Sequence, residues 1–225
     1  MLRSSTNHAS AEHLAKWERD QAPSAATVVR LLNMIKSDAD LIEVERELKR
    51  EPVLSYRLLR FVNSASAGFH KSISSFRQAV VILGYHQLHR WLAVLLVTTA
   101  KNGERSDAVR SCLVRASFME TLAMGQSITL TLADQCFIVG VFSRLDELLG
   151  QPLASAIAPL NLSAEIRAAL LERSGNAGTM LDLAICMESG DKVRAGELLA
   201  KIKMSPLLAE QSYESAQSWA DSLPL

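Results

Sequence analysis

Apolar residues recur at helical spacing along most of the chain. Val28, Leu31, Leu32 and Ile35 share one face of a first helix. Asp40 is placed to cap a second, in which Leu41, Val44 and Leu48 line up and Glu43 holds the capping-box position. Pro52 opens a third helix through Leu54, Leu58, Leu59 and Val62, which ends in the turn-prone stretch from Asn63 to Gly68. Ser75 with Gln78 forms another capping box, and Gly84 is suited to end that helix. A strongly apolar helix from Tyr85 to Ala100 follows, stopped by Lys101-Asn102-Gly103. Asp107–Met124 and Leu132–Leu149 read as two long helices, and Pro152, Ser163 and Pro206 start shorter ones. Only Thr129 to Leu132 hints at strand alternation, and it is too brief for a sheet. The expected fold is all-α, and no repeat of fixed period interrupts it.

Three regions follow from the pattern. Residues 1–22 are polar and read as a linker or tail, residues 23–205 as the main helical domain, and residues 206–225 as a C-terminal helix. A composition shift at Gly150-Gln151-Pro152 marks a boundary between an N-terminal lobe and the remainder. The expected core includes Leu58, Val62, Val80, Leu83, Leu92, Leu95, Phe137, Val141 and Leu145, each on the apolar stripe of its helix.

Charge and cysteine usage narrow the class. With 24 Lys plus Arg against 24 Asp plus Glu, the formal net charge is zero, without the basic surplus of a nucleic-acid binder. Lys101, Arg105, Arg110 and Arg115 are interrupted by Glu104 and Asp107 and read as a solvated face. Cys112, Cys136 and Cys186 stand singly in apolar patterns and read as buried thiols, not as a disulfide framework or a metal site. The chain shows no signal-peptide pattern, and its longest apolar run, Trp91 to Val97, is far too short to span a bilayer. A cytoplasmic protein is expected, with neither membrane nor nucleic acid as a partner.

Two segments carry a family resemblance. Glu51-Pro-Val-Leu-Ser-Tyr-Arg-Leu-Leu-Arg-Phe-Val-Asn-Ser-Ala65, followed by Ile73-Ser-Ser-Phe-Arg-Gln-Ala-Val-Val-Ile-Leu-Gly84, resembles the signature of HDOD domains, relatives of HD phosphohydrolases. Phe137 to Gly150 looks like the matching helix in the branch of that family attached to EAL domains, and the likeness runs from about Pro23 to Asp191. The residues also have a plain structural reading. Asn63 and Ser64 can bond back to freed carbonyls after a buried helix, Ser75 can cap the next one, Ala65 allows close helix contact, and Gly84 tolerates a turn.

The resemblance locates a cleft and implies that its chemistry has changed. HD phosphohydrolases hold metal through a His, an adjacent His-Asp pair and a later Asp, a set that activates water. In this sequence Ser111 falls at the first His position, and Ser143 and Arg144 fall where the His-Asp pair would be. Asp182 falls near the later Asp, but one carboxylate cannot hold a catalytic ion, and Arg144 would repel it. No other catalytic motif is present: there is no GxSxG, HExxH or glycine-rich phosphate loop. His86 and His89 lack further ligands, and Asp146 with Glu147 beside Arg144 reads as a salt-bridged surface. The expectation is therefore a non-enzymatic signalling module without cofactor. It would act through contacts with signalling proteins, an EAL or other cyclic di-GMP protein among them, or as a homodimer. The alternative is an anion or nucleotide sensor built on Ser111, Ser143 and Arg144. Tyr85, His86 and Arg90 are the candidate contact surface, because the deep face of their helix is supplied by Leu88, Leu92 and Leu95.

Overall fold

The computed structural model describes residues 24–50, 54, 57–58, 61–62, 76–99, 107–125 and 130–222. All secondary structure among them is helical. The signature residues Asn63, Ser64, Ala65 and Ser75, and the turn at Lys101-Asn102-Gly103, lie outside the described residues. The chain forms two compact units, Met1–Leu92 and Ala93–Leu225.

In the first unit, α1 (Ala25–Lys36) begins at Ser24, whose hydroxyl accepts the Thr27 amide at 3.1 Å. Asp40 caps α2 (Leu41–Lys49) by accepting the Ile42 amide at 2.7 Å. The expected stripes are buried: Val28, Leu31, Leu32 and Ile35 on α1, and Val44 and Leu48 on α2. Leu54, Leu58 and Val62 are helical and fully buried. Glu47 is also buried, at 7% exposure, and pairs with Arg30 and Arg50. A buried carboxylate needs such partners to offset its lost hydration.

Helix α3 (Phe76–Thr98) is interrupted at Gly84, where φ is 69° and ψ is 164°. Only glycine enters that region without strain, so the expected stop at Gly84 is a break between two helical segments. The following residue anchors the second segment. Tyr85 is half-buried, and its hydroxyl donates to the Ala39 carbonyl at 2.5 Å. Burial, with the nearby charges of Asp40 and Asp38, raises its pKa, which keeps that donor protonated. Tyr85→Phe is expected to lower stability by about 1 kcal/mol in denaturant unfolding, the usual net worth of one such bond. An unchanged midpoint would show that the bond to Ala39 contributes nothing.

The stretch Gln78–Thr98 is apolar and long enough by composition to cross a membrane, but half of it is buried within the protein. The break at Gly84 also leaves an uninterrupted segment of only 14 residues, 85–98. That segment is about 21 Å long, short of the ~30 Å hydrocarbon layer.

The second unit is built around α4 (Asp107–Gly125), which packs against α5 (Leu130–Phe142), α9 (Gly175–Ser189) and α11 (Pro206–Ser222). Ala108, Cys112, Leu113, Ala116, Phe118 and Met119 are buried around nearly its whole circumference. A helix apolar on every side belongs in the middle of a bundle. Short helices α6 (Leu145–Leu149) and α7 (Leu153–Ile157) lead to α8 (Ala164–Glu172), and α10 (Lys192–Lys201) links α9 to α11. Ser163 and Pro206 stand at helix starts, as the pattern indicates. All three cysteines are free and buried, and burial pushes the Cys112 thiol up to about 11 and Cys136 up to about 12. Of the nine expected core residues, Leu83 alone is only half-buried; the other eight are buried.

The single helix expected over Leu132–Leu149 is two. The Ser143 hydroxyl donates to the Gly140 carbonyl at 2.8 Å, Arg144 leaves helical geometry at φ −130°, and α6 begins one residue later. A serine hydroxyl bonding back one turn competes with the helix ladder and favours such a break.

Candidate functional site

The break between α5 and α6 turns Ser143 and Arg144 towards α4 and α9. Gly140 makes this approach possible: a β-carbon there would lie 2.4 Å from the Ala116 backbone of α4. With glycine at that contact the backbones pass closely, and Ser143, three residues on, reaches Arg115.

The polar cluster centres on Glu188, in the last turn of α9. Its Oε1 accepts from the Ser111 hydroxyl at 2.7 Å. Its Oε2 accepts from Arg115 through Nε at 2.8 Å and Nη2 at 2.5 Å. Arg115 Nη1 donates to Ser143 Oγ at 3.2 Å. Arg144 donates through Nε and Nη2 to Glu147, at 3.0 and 2.5 Å, while its Nη1 stands 3.7 Å from Glu188 Oε1. Burial alone would raise the Glu188 pKa, but the hydrogen bonds from Ser111 and Arg115, with the charges of Arg115 and Arg144, hold it below the usual carboxylate range.

A pocket of about 180 Å³ adjoins the cluster, lined by Asp107, Arg110, Ser111 and Val114 of α4, Glu188 of α9 and Tyr213 of α11. Phe118 meets the Tyr213 ring edge-on, with centroids 5.4 Å apart. At the rim, Arg110 forms a bidentate pair with Asp221 at 2.7 and 2.9 Å.

Ser111, Ser143 and Arg144 all stand beside the Arg115–Glu188 pair. Asp182 pairs instead with Arg173 and Arg194, at 3.7 and 3.8 Å. Among the described residues no three His, Cys, Asp or Glu side chains converge as a metal-ligand group. Arg110 is on the solvent side as expected, but Arg115 is not. It is buried at 8% exposure, because its side chain turns inward to Glu188 and Ser143. Neither Arg115 nor Glu188 was singled out by motif reasoning. Their signal was an arginine inside the apolar run Cys112-Leu-Val-Arg-Ala116, and an acid at the C-terminal end of an apolar helix. Each placement is costly unless the residue is paired. Among the contact-surface residues, His86 is exposed, Arg90 is half-buried, and Tyr85 is engaged with Ala39.

The depressed Glu188 pKa has a definite sign for stability. The contribution is fully present above the unfolded glutamate value of about 4.3, and is lost as pH falls through the lower folded value. Glu188→Gln should therefore flatten the acid limb of the stability–pH curve, measured by urea unfolding below about pH 4.3. A parallel curve for the variant would mean that Glu188 titrates as it does in the unfolded chain.

Comparison with known proteins supplies the wider frame. A sequence profile of the HDOD domain matches residues 22–173. The cyclic di-GMP phosphodiesterase CdgJ of Vibrio cholerae is 30% identical over 207 residues, 92% of this chain and 48% of CdgJ. The uncharacterized protein YuxH of Bacillus subtilis is 27% identical over 197 residues, 86% of this chain and 47% of YuxH. The chain therefore spans about half the length of these curated relatives. No solved structure matches it. These relatives correct one expectation. The replacements at Ser111, Ser143 and Arg144 were read as excluding an enzyme, yet a relative aligned over nearly the whole chain is a phosphodiesterase by name. The replaced ligands bear on HD-type metal chemistry alone and do not exclude enzymatic activity.

Proposed function

We propose, for a chain that belongs to the HDOD domain family, that it serves cyclic di-GMP signalling as the HDOD portion of a phosphodiesterase-type protein. The observation that carries this reading is the identity with CdgJ across 92% of the chain. In this reading the domain works in the cytoplasm through contacts with the protein or domain that handles the nucleotide, homodimer contacts included. The contact surface runs over His86 and Arg90 at the start of the second segment of α3. Tyr85 contributes less to it, because its hydroxyl is committed to Ala39.

The test is genetic and chemical together. Deleting the gene from its native host is expected to change intracellular cyclic di-GMP, measured by mass spectrometry, and the wild-type chain is expected to restore it. A His86→Ala, Arg90→Ala variant with unchanged melting should restore it less. Unchanged cyclic di-GMP in the deletion strain would end the proposal, and full restoration by the double variant would move the contact surface elsewhere. A second reading, an anion or nucleotide sensor at Ser111, Ser143 and Arg144, is favoured by the convergence of donors on Glu188.

A further inference from the structure

We propose that the Glu188 carboxylate is a built-in occupant of an oxyanion site, and that an external phosphate group displaces it to bind Ser111, Arg115 and Arg144. The inference specifies the sensor reading; it stands apart from the cyclic di-GMP reading, which its failure would leave intact.

The first argument is donor count. Groups from α4 and from the α5–α6 turn point at one carboxylate. Ser111 takes one oxygen and Arg115 takes the other through two nitrogens. Arg144 Nη1 stops at 3.7 Å, outside hydrogen-bond range, and Arg115 Nη1 falls to Ser143 at 3.2 Å. Each of these side chains has partners, but Glu188 engages only part of the set, since one Arg115 nitrogen turns to Ser143 and Arg144 turns to Glu147. A tetrahedral group with four oxygens matches them better, and planar guanidinium forks suit phosphate as well as carboxylate.

The second argument concerns the occupant. Glu188 lies in the last turn of α9, one residue before Ser189, and the helix closes at Gly190 in left-handed geometry with φ 74°. An acid at that end opposes the helix dipole, and the last turn is where a helix frays most readily. Opening this turn withdraws Glu188 without disturbing α4. Its side chain is one-third exposed, while that of Arg115 is 10% exposed, so the acid is the member free to leave.

The third argument is access. The 180 Å³ pocket opens directly on Ser111 and Glu188. Asp107 and the Arg110–Asp221 pair at its mouth give no net attraction for an anion while Glu188 is in place. Once Glu188 withdraws, Arg115 and Arg144 together carry one more charge than Glu147 offsets. The opened site then attracts an anion, which the guanidinium forks select by its oxygens and not by its charge, and its apparent affinity is reduced by the fraction of time Glu188 is out.

The test titrates inorganic phosphate into the full chain, with sodium chloride at matched ionic strength as the control. It is followed by amide hydrogen exchange and thermal unfolding. In the wild-type protein phosphate should accelerate exchange in the last turn of α9, where chloride does not. Glu188→Gln should bind phosphate more tightly by about tenfold or more, because no charged competitor occupies the site. Adding Arg144→Ala to that variant should reverse the gain. Equal effects of phosphate and chloride on both wild type and Glu188→Gln would overturn the proposal. If Glu188→Gln fails to fold, the wild-type exchange experiment decides: an α9 terminus indifferent to phosphate rejects the site.

Discussion

Gly140→Ala is expected to destabilise the second unit by at least about 3 kcal/mol, at the upper end of ordinary overpacking costs. The added β-carbon would lie 2.4 Å from both the Cα and the amide nitrogen of Ala116 and 2.8 Å from the Arg115 carbonyl carbon. These are backbone atoms of the central helix, not ends of flexible side chains, so α5 must move away from α4 as a body. That movement would draw Ser143 away from Arg115 and lower melting by on the order of 10 °C. A control comes from α10, where the exposed Gly196 has no atom near its virtual β-carbon and ordinary helical backbone. Gly196→Ala should stabilise by about 0.5–1 kcal/mol, the propensity difference alone. Wild-type-like melting of Gly140→Ala would mean that α4 and α5 do not make this close contact.

The contrast between these glycines shows what the sequence could and could not disclose. Helix existence was legible because burial stripes and caps are local: Val28 to Ile35, the Asp40 cap and the Ser163 start are each visible within one or two turns. The helix end at Gly84, with a new segment from Tyr85, was legible for the same reason, since a glycine tolerates the positive φ found there. The break at Ser143 was not. Val139 to Leu149 keeps an apolar helical rhythm, and a serine hydroxyl bonding back to the Gly140 carbonyl leaves no mark in that rhythm. The grouping of Ser111, Ser143 and Arg144 was legible only through family likeness, because they are separated in sequence and share no spacing rule. Arg115 was read as solvated from the charges around it, whereas its burial is set by a residue 73 positions away. Long-range pairing of this kind leaves a local trace, a charge inside an apolar run, but does not name the partner.

Breaking the Arg115–Glu188 pair is expected to be asymmetric. Arg115 is buried at 8% exposure, so Glu188→Ala leaves a cation that cannot readily regain water and keeps the Ser143 hydrogen bond on Nη1. A cost of about 3 kcal/mol is expected, the lower end for a buried pair broken on one side. Arg115→Met removes the buried charge and fills much of the same volume. The remaining Glu188 is one-third exposed, keeps the Ser111 hydrogen bond and still faces Arg144, so it can be rehydrated in place. That variant should lose only about 1–2 kcal/mol, since most of the desolvation penalty leaves with the guanidinium. With Arg115 already replaced, removing Glu188 strands no cation. The double variant should therefore lie close to Arg115→Met, with a coupling energy of about 3 kcal/mol, the whole Glu188→Ala loss, in urea unfolding. Additive losses would show that the two side chains are energetically independent despite their contact. Equal single losses would show instead that water reaches Arg115 as easily as Glu188, and the cluster would then be an open surface pair.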